Sequence, residues 1–178
     1  MHVLSNHART SFQKKAEFWA KQPLELIHTD ICGPITPESF SGKRYFISFI
    51  NDYSRKTYLF SKRKTEAFEV FKKFKMMVEK ATGRHTKAIR SDRGGEYTSM
   101  TFMEYYEEQG KRRFLTASYT QQNGVTERKN RTILDMVQSM LKSKRMPKEF
   151  WAEAVQCAIY VQNRCPHAKL DDQTPQEA

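Results

Sequence analysis

Three acidic residues stand at positions where enzymes commonly carry catalytic groups. Asp30 lies near the end of an alternating apolar run, Asp92 directly follows another such run, and Glu127 falls in the first turn of a helical pattern. Carboxylate oxygens are hard ligands that suit Mg²⁺ or Mn²⁺, and two such ions about 4 Å apart can activate an attacking oxygen and stabilise a leaving one. Together the three acids predict a metal site that acts on a phosphodiester.

Each acid also has a purely structural interpretation. Asp30 and Asp92 stand close to Gly33-Pro34 and Gly94-Gly95 and suit turns, while Glu127 would favour the positive end of its helix dipole. These interpretations suffice for each residue alone. The convergence of three acids in a basic chain favours the metal site.

The charge balance of the chain favours an anionic partner. Its 178 residues include 31 Lys and Arg against 20 Asp and Glu, which gives a formal net charge of +11. A phosphate backbone is one partner that such a charge suits. Twelve Phe, eight Tyr and two Trp exclude disorder as the main state, and the length predicts a single core domain.

Cysteine content and hydropathy exclude several other classes of protein. The three Cys show no C-x-x-C spacing, which favours a reducing compartment over a disulfide framework. The longest apolar run covers only residues 157–161, so neither a membrane span nor a secretory signal is expected.

The sequence also predicts how the chain is divided. Residues 1–22 are basic and aperiodic and predict an extended arm, and residues 23–178 form the expected domain.

Hydrophobic periodicity predicts an α/β domain. Strands are expected over 24–31, 43–51, 56–62, 85–91 and 111–117, with a hairpin turn at 52–55. Helices are expected over 65–82, 98–109, 124–144 and 150–161. Thr65 is a candidate N-cap, Gly83 closes the first helix and Pro147 ends the third. This order predicts a five-stranded mixed sheet covered by helices.

The helix that carries Glu127 has two unlike faces. At about 100° per residue, Ile133, Val137 and Met140 point away from Glu127 and predict a buried face. Within about 60° of the direction of Glu127 lie one amide and three cations: Asn130, Arg131, Lys142 and Arg145. Such a face suits a helix laid beside DNA. A solvated surface also explains the cations, although not the Gln-Gln-Asn-Gly loop at 121–124.

Four strings in this order resemble a known family. They are LELIHTDICGP at 24–34, DYSR at 52–55, SDRGGEY at 91–97 and QQNGVTERKNRT at 121–132. They resemble the integrase catalytic core of Ty1/copia-type LTR retrotransposons. The resemblance implies a ribonuclease-H-like fold and a catalytic D-D-E triad of Asp30, Asp92 and Glu127 that holds two Mg²⁺ or Mn²⁺ ions.

The same resemblance implies a reaction and its partners. The reactions are 3′-end processing of element DNA by water and strand transfer by the new 3′-hydroxyl. DNA contacts near the metals are implied at Gln122, Asn123, Asn130 and Arg131. A homo-oligomer on the element ends is implied as well, with assembly in a cytoplasmic particle and action in the nucleus.

The chain departs from the family pattern in several places, two of which bear on activity. Only 34 residues separate Asp92 from Glu127, one fewer than is usual in that family, because the loop before Gln121 lacks a Pro and has Ser118 in place of another. The N-terminal segment has His2 and His7 but no Cys before Cys32, so it cannot supply a four-ligand zinc site. These departures favour a fragment or decayed copy, with the basic arm as the remnant after a missing zinc module.

Two other functions compete with DNA strand transfer. One is a catalytically inactive nucleic-acid-binding remnant that keeps the ribonuclease-H-like fold. The other is a ribonuclease-H-like nuclease of different lineage, which the integrase-type string at 121–132 disfavours. Metal-dependent nicking or joining of DNA separates the strand transferase from the inactive remnant.

Overall fold

Five strands and four helices make up the domain in the computed structural model, which describes residues 19–62, 66–91, 97, 99–108, 112–115 and 124–178. The strands are β1 (Leu26–Cys32), β2 (Tyr45–Asn51), β3 (Thr57–Lys62), β4 (Ala88–Ser91) and β5 (Arg112–Leu115). The helices are α1 (Ala67–Thr82), α2 (Met100–Glu108), α3 (Gly124–Ser143) and α4 (Trp151–Arg164), with a short 3₁₀ turn at Lys148–Phe150. No helix within these ranges is long and apolar enough to cross a membrane.

The strands form one mixed sheet in the order β3-β2-β1-β4-β5. The first three strands pair antiparallel through short connections, whereas β1 pairs parallel with β4 and β4 parallel with β5. Parallel neighbours need a crossover, and α1 and α2 lie in the two crossover connections. The predicted five-stranded mixed sheet is confirmed.

The sheet separates two hydrophobic cores. On one face, Ile27, Ile47 and Phe49 pack against α1, where the rings of Phe49 and Phe74 stack with centroids 4.3 Å apart. On the other face, Phe46 packs against apolar side chains of α3 and α4. Each fully buried side chain of this size contributes roughly 1.5–3 kcal/mol, so the two cores hold the helices firmly on the sheet.

The predicted apolar stripe of the third helix is confirmed in its main positions. Ile133 and Val137 are buried on α3 and pack with Val155 and Ala158 of α4 beneath the sheet. The opposite side of α3, including Arg131 and Lys142, is exposed. The helix therefore offers a polar face to solvent while its apolar face secures it to β2.

Several element ends differ from the prediction. Gly83 closes α1 as expected, with φ 65° and its N–H donating to Glu79. Glu66, which lacks a side-chain cap bond, precedes α1, and Thr65 lies outside the described residues. Helix α4 extends to Arg164, and β4 begins only at Ala88.

The prediction that Pro147 ends the third helix is wrong. Helix α3 ends at Ser143, and Arg145 takes a left-handed conformation with φ 51°. The N–H of Arg145 donates to Lys142 and the N–H of Met146 to Leu141. These two bonds form a Schellman motif, which satisfies the last carbonyls of a helix without any proline. Arg145 therefore lies beyond the helix rather than on its polar face.

Candidate active site

Asp30 lies on the face of the sheet that α3 covers. Side chains alternate along a strand, so Ile27 and Ile31 of β1 enter the core beneath α1, whereas Asp30 points to the opposite side. The sheet register sets Ser48 of β2 directly opposite Asp30. A carboxylate and a hydroxyl thus stand side by side under the helix.

Asn130 of α3 joins these two side chains. Its Nδ2 donates to Asp30 Oδ2 at 2.9 Å, and its Oδ1 accepts from Ser48 Oγ at 3.2 Å. Asn130 is only 6% exposed, and the Asp30 carboxylate, which can only accept, fixes which way its amide faces. The other oxygen of Asp30 accepts the N–H of Ile31 at 3.0 Å. These bonds hold the Asp30 carboxylate in one orientation.

Glu127 stands one turn before Asn130 on the same helix. Residues three apart on a helix are surface neighbours, about 5–6 Å between their Cβ atoms. The Glu127 side chain is exposed, and its neighbour Asn130 is the residue that contacts Asp30. Two of the three predicted acids therefore flank one asparagine.

Several predicted site residues lie outside the described residues, namely Asp92, Gln122 and Asn123. The nearest described residues on the two sides of Asp92, Ser91 and Tyr97, both lie next to β1. Ser91 ends β4, which pairs parallel with β1, and Tyr97 Oη lies 2.8 Å from Thr29 Oγ1. Within the described part of the chain, no three His, Cys, Asp or Glu side chains are grouped to hold a metal.

The predicted DNA contacts divide into two groups in the structure. Arg131, Lys142 and Arg145 are exposed. Asn130 is instead buried and bonded to Asp30 and Ser48, so its place in the fold suits positioning of the Asp30 carboxylate.

Sequence reasoning missed a buried polar cluster beside this site. His28 and Asp52 are both fully buried, and His28 Nε2 lies 3.0 Å from Asp52 Oδ1. Arg55 Nη2 lies 3.2 Å from the same oxygen, and the Ala20 N–H donates to Oδ2 at 2.9 Å. The available signal was His28 directly after the apolar Leu26 and Ile27 of β1.

The cluster holds Asp52 ionised and His28 neutral. Burial alone raises the pKa of Asp52, but bonds from His28 and the Ala20 N–H, with the charge of Arg55, outweigh it and lower the pKa to about 2. Burial lowers the pKa of His28, and this effect exceeds the opposing attraction of Asp52. A neutral imidazole that donates from Nε2 to a carboxylate is therefore the state at neutral pH.

Comparison with known proteins identifies relatives of the chain. The family model described as integrase core domain matches residues 20–128. The Retrovirus-related Pol polyprotein from transposon TNT 1-94 of Nicotiana tabacum is 47% identical over 94% of this chain. That from transposon RE2 of Arabidopsis thaliana is 32% identical over 88% of the chain. The chain spans only 13% and 11% of the lengths of these two polyproteins.

Solved structures share the fold at low sequence identity. The intasome of simian T-cell lymphotropic virus, in complex with PP2A regulatory subunit B56 gamma, matches 90% of this chain and 55% of its own, with TM-score 0.68 and 16% identity. The HTLV-2 integrase catalytic core domain in complex with magnesium matches 87% of this chain and 95% of its own, with TM-score 0.61 and 16% identity. The fold of the chain is therefore ribonuclease-H-like.

Proposed function

Because the chain belongs to the integrase core domain family, we propose that it is the catalytic core of a DNA integration reaction. The reaction is metal-dependent polynucleotidyl transfer, in which 3′-end processing precedes strand transfer. The observation that carries the proposal is the bond from Asn130 to Asp30. It ties the helix of Glu127 to the strand of Asp30, where the family pattern requires two of its acids.

The donor set fits a divalent cation. Asp30 and Glu127 offer hard carboxylate oxygens, and Asp92 would add a third carboxylate. Asp92 follows β4 in the sequence, and β4 pairs parallel with the strand of Asp30, with Arg90 opposite His28. When bound, Mg²⁺ or Mn²⁺ would activate the attacking oxygen and stabilise the leaving one. The magnesium complex of the HTLV-2 core supports Mg²⁺.

The protein's own side chains orient the acids and bind the DNA backbone. Asn130 orients Asp30, and the packing of Ile133 and Val137 fixes the helix that presents Glu127. The exposed Arg131 and Lys142 bind phosphates of the DNA backbone, which orients the strand without reading its sequence. The DNA ends are held by several copies of the chain, which the intasome assembly of a structural neighbour supports.

A strand-transfer assay tests this proposal. The 178-residue chain is incubated with Mn²⁺, a pre-processed duplex and target DNA, beside the variants Glu127→Gln and Glu153→Gln. Glu153 is an exposed residue of the first turn of α4 and serves as the matched control. Weak transfer that Glu127→Gln abolishes and Glu153→Gln leaves intact is expected. Transfer that survives Glu127→Gln, or a preference for RNA–DNA hybrids, contradicts the proposal.

A DNA-binding domain without catalysis is the second candidate function. The observation that favours it is the spacing of 34 residues between Asp92 and Glu127, one short of the family pattern. A misplacement of about 1 Å can cost roughly 100-fold in rate, so a shortened loop lowers activity even when all three acids are present. Inserting a Pro between Thr120 and Gln121 should then raise metal-dependent transfer. Metal-independent DNA binding without nicking, in both chains, identifies the inactive domain.

A further inference from the structure

The most exposed aromatic side chain among the described residues stands at the corner of a tight turn. Phe40 is 65% exposed. The residue before it, Ser39, is buried, and the Gly42 N–H donates to the Ser39 carbonyl at 2.8 Å, which closes a β-turn with Phe40 as its second residue. The Ser39 N–H donates to the Lys43 carbonyl at 3.0 Å, and its Oγ accepts the Lys43 N–H at 3.1 Å. A hydrogen-bonded turn therefore presents the ring to solvent.

The connection between α3 and α4 fixes the position of this turn. The Phe40 N–H donates to the Glu149 carbonyl at 3.2 Å, and the Trp151 Nε1–H donates to the Pro37 carbonyl at 3.0 Å. The rings of Phe40 and Phe150 meet edge to face, with centroids 4.7 Å apart and planes at 64°. Phe150 thus supports one part of the Phe40 ring and leaves the larger part uncovered.

Both segments that meet here are basic. Residues 38–44 and 144–150 together contain five Lys and Arg against two Glu. One of these acids, Glu38, lies 3.9 Å from Arg44. The other cations form no ion pair with an acid that the structure describes: Lys43, Lys144, Arg145 and Lys148. The surface around Phe40 therefore attracts a negatively charged partner.

We propose that Phe40 is a stacking site for one unpaired base of a nucleic-acid strand, whose phosphates contact the surrounding cations. Every base has a flat π-face that can stack on an aromatic ring, and proteins bind single strands through aromatic rings set among basic residues. Such a site holds the strand without reading its sequence. The choice of DNA rather than RNA as that strand rests on the proposed function.

The composition of the turn favours a base over a protein partner. Phe40 is the sole apolar side chain of residues 38–44, which read ESFSGKR. A specific protein interface buries about 800 Å² on each side around an apolar centre, whereas one base needs one ring. The lysines that lack an acidic partner match the regular negative charge of a phosphate backbone. An acidic peptide is therefore the alternative that the experiment must exclude.

The stacking site is distinct from the carboxylate site. Glu127 lies in the first turn of α3, and the helix ends at Ser143, sixteen residues later. At about 1.5 Å per residue this separation is about 24 Å, which is the length of roughly seven base pairs. The exposed Arg131 and Lys142 lie along α3 between its two ends. A strand that follows α3 from Glu127 therefore reaches the turn of Phe40 just beyond the end of the helix.

Single-strand binding by the 178-residue chain, measured by fluorescence anisotropy, tests this site. The probes are a DNA strand of about 12 nucleotides, the same strand with abasic sites in place of its bases, and a blunt duplex of about 20 base pairs. Phe40→Ala should weaken binding of the normal strand by at least roughly fivefold and leave binding of the other two probes unchanged. Tyr160→Ala is the matched control and should change none of the three affinities. Tyr160 is 59% exposed, but it lies on α4 with the Arg164 guanidinium 3.7 Å from its ring centre.

Phe40→Trp provides a second measurement that keeps an aromatic ring in place. It should bind the normal strand at least as tightly as the unmodified chain does. The fluorescence that this variant adds should be quenched when the normal strand binds and should stay unchanged when the abasic strand binds. A purely structural role for Phe40 would instead make Phe40→Ala weaken binding of all three probes by the same factor.

The outcomes separate the stacking site from the function proposed above. Equal loss with the normal and abasic strands, or no loss with either, overturns the stacking site and leaves the carboxylate chemistry standing. The same holds if a Glu-rich peptide that contains Leu binds the unmodified chain but not Phe40→Ala, while single-strand affinity is unchanged. Base-dependent loss confined to an RNA strand of the same sequence retains the stacking site but rejects DNA as its ligand, and the proposed function with it.

Strand transfer supplies the last distinction. Base-dependent binding of the DNA strand in a chain that shows no metal-dependent transfer retains the stacking site and rejects the catalytic proposal.

Discussion

Among single residues, Asp52 makes the stability of the fold depend on pH. Its pKa is about 2 in the folded chain against an ordinary value of 3.8, so it stabilises the fold above pH 3.8, and this contribution is lost as the pH falls towards 2. The difference corresponds to roughly 2 kcal/mol. His28 acts in the same direction, because its lowered pKa means that the unfolded chain takes up a proton first as the pH falls below 6.5.

Urea unfolding of Asp52→Asn across pH measures this contribution. The free energy of unfolding should be lower than in the unmodified chain at pH 7, because the buried Arg55 loses its partner. The gap between the two chains should shrink by roughly 2 kcal/mol between pH 4 and pH 2. Asp135→Asn, an exposed acid on α3, is the control and should show no such change. A gap that stays constant with pH would contradict the buried ion pair.

Replacing Asn130 with an acidic residue should lower the free energy of unfolding. Asn130→Asp keeps the shape of the side chain but sets a second carboxyl oxygen beside Asp30 Oδ2, where an N–H donor now lies at 2.9 Å. We expect a loss of roughly 1–3 kcal/mol in the free energy of unfolding at pH 7.5. The loss should diminish at pH 5, because one of two adjacent carboxyls then retains a proton.

The same charge added elsewhere on α3 is the control for Asn130. Gln138 is exposed, so Gln138→Glu should change the free energy of unfolding by less than about 0.5 kcal/mol. Equal effects of the two variants would mean that the bond to Asp30 does not hold the helix to the strand.

At the scale of elements, the exit from β1 depends on Gly33. Its φ is 140°, and a Cβ built there would lie 2.5 Å from the Arg44 carbonyl oxygen and 2.6 Å from Tyr45 Cδ1. Gly33→Ala should therefore cost at least about 2 kcal/mol in thermal or urea unfolding. Gly42→Ala provides the contrast, since its φ is 67° with nothing within 4 Å. Its cost should be about 1 kcal/mol, from backbone strain alone.

Periodicity predicted the elements but not all of their ends or their polar contacts. The Phe71, Phe74 and Val78 spacing specifies α1 because one helix face must be buried. The end of α3 was predicted within one residue, but the left-handed Arg145 that closes it was not, because nothing in its side chain favours that conformation. The His28–Asp52 bond joins residues 24 positions apart, and only the strand pairing brings them together. Asn130 was assigned to the DNA-facing side because 3.6-residue geometry cannot show which polar residue is buried.

At the scale of the whole molecule, the sheet separates two tasks. The α1 side contains most of the aromatic rings in mutual contact, whereas the α3 side has the polar positions Asp30, Ser48 and Asn130 above a second core. The exposed basic residues of α3 lie on that second side. Duplex DNA should approach this side, because it carries Glu127 and the exposed cations Arg131 and Lys142 of α3.

Binding of DNA should consequently depend strongly on salt and weakly on sequence. Phosphate contacts release counterions, so the logarithm of the binding constant should fall linearly with the logarithm of salt concentration. Arg131→Ala removes one exposed cation from the polar face of α3. It should weaken binding to duplexes of different sequence by the same factor and lower the salt slope by about one. Lys80→Ala, an exposed position in the last turn of α1, should change neither the affinity nor the salt slope.

Fluorescence anisotropy with three unrelated duplexes between 50 and 200 mM salt measures both the affinity and the salt slope. Salt-insensitive binding, or a loss in Arg131→Ala confined to one sequence, would show that base contacts rather than phosphate contacts carry the affinity.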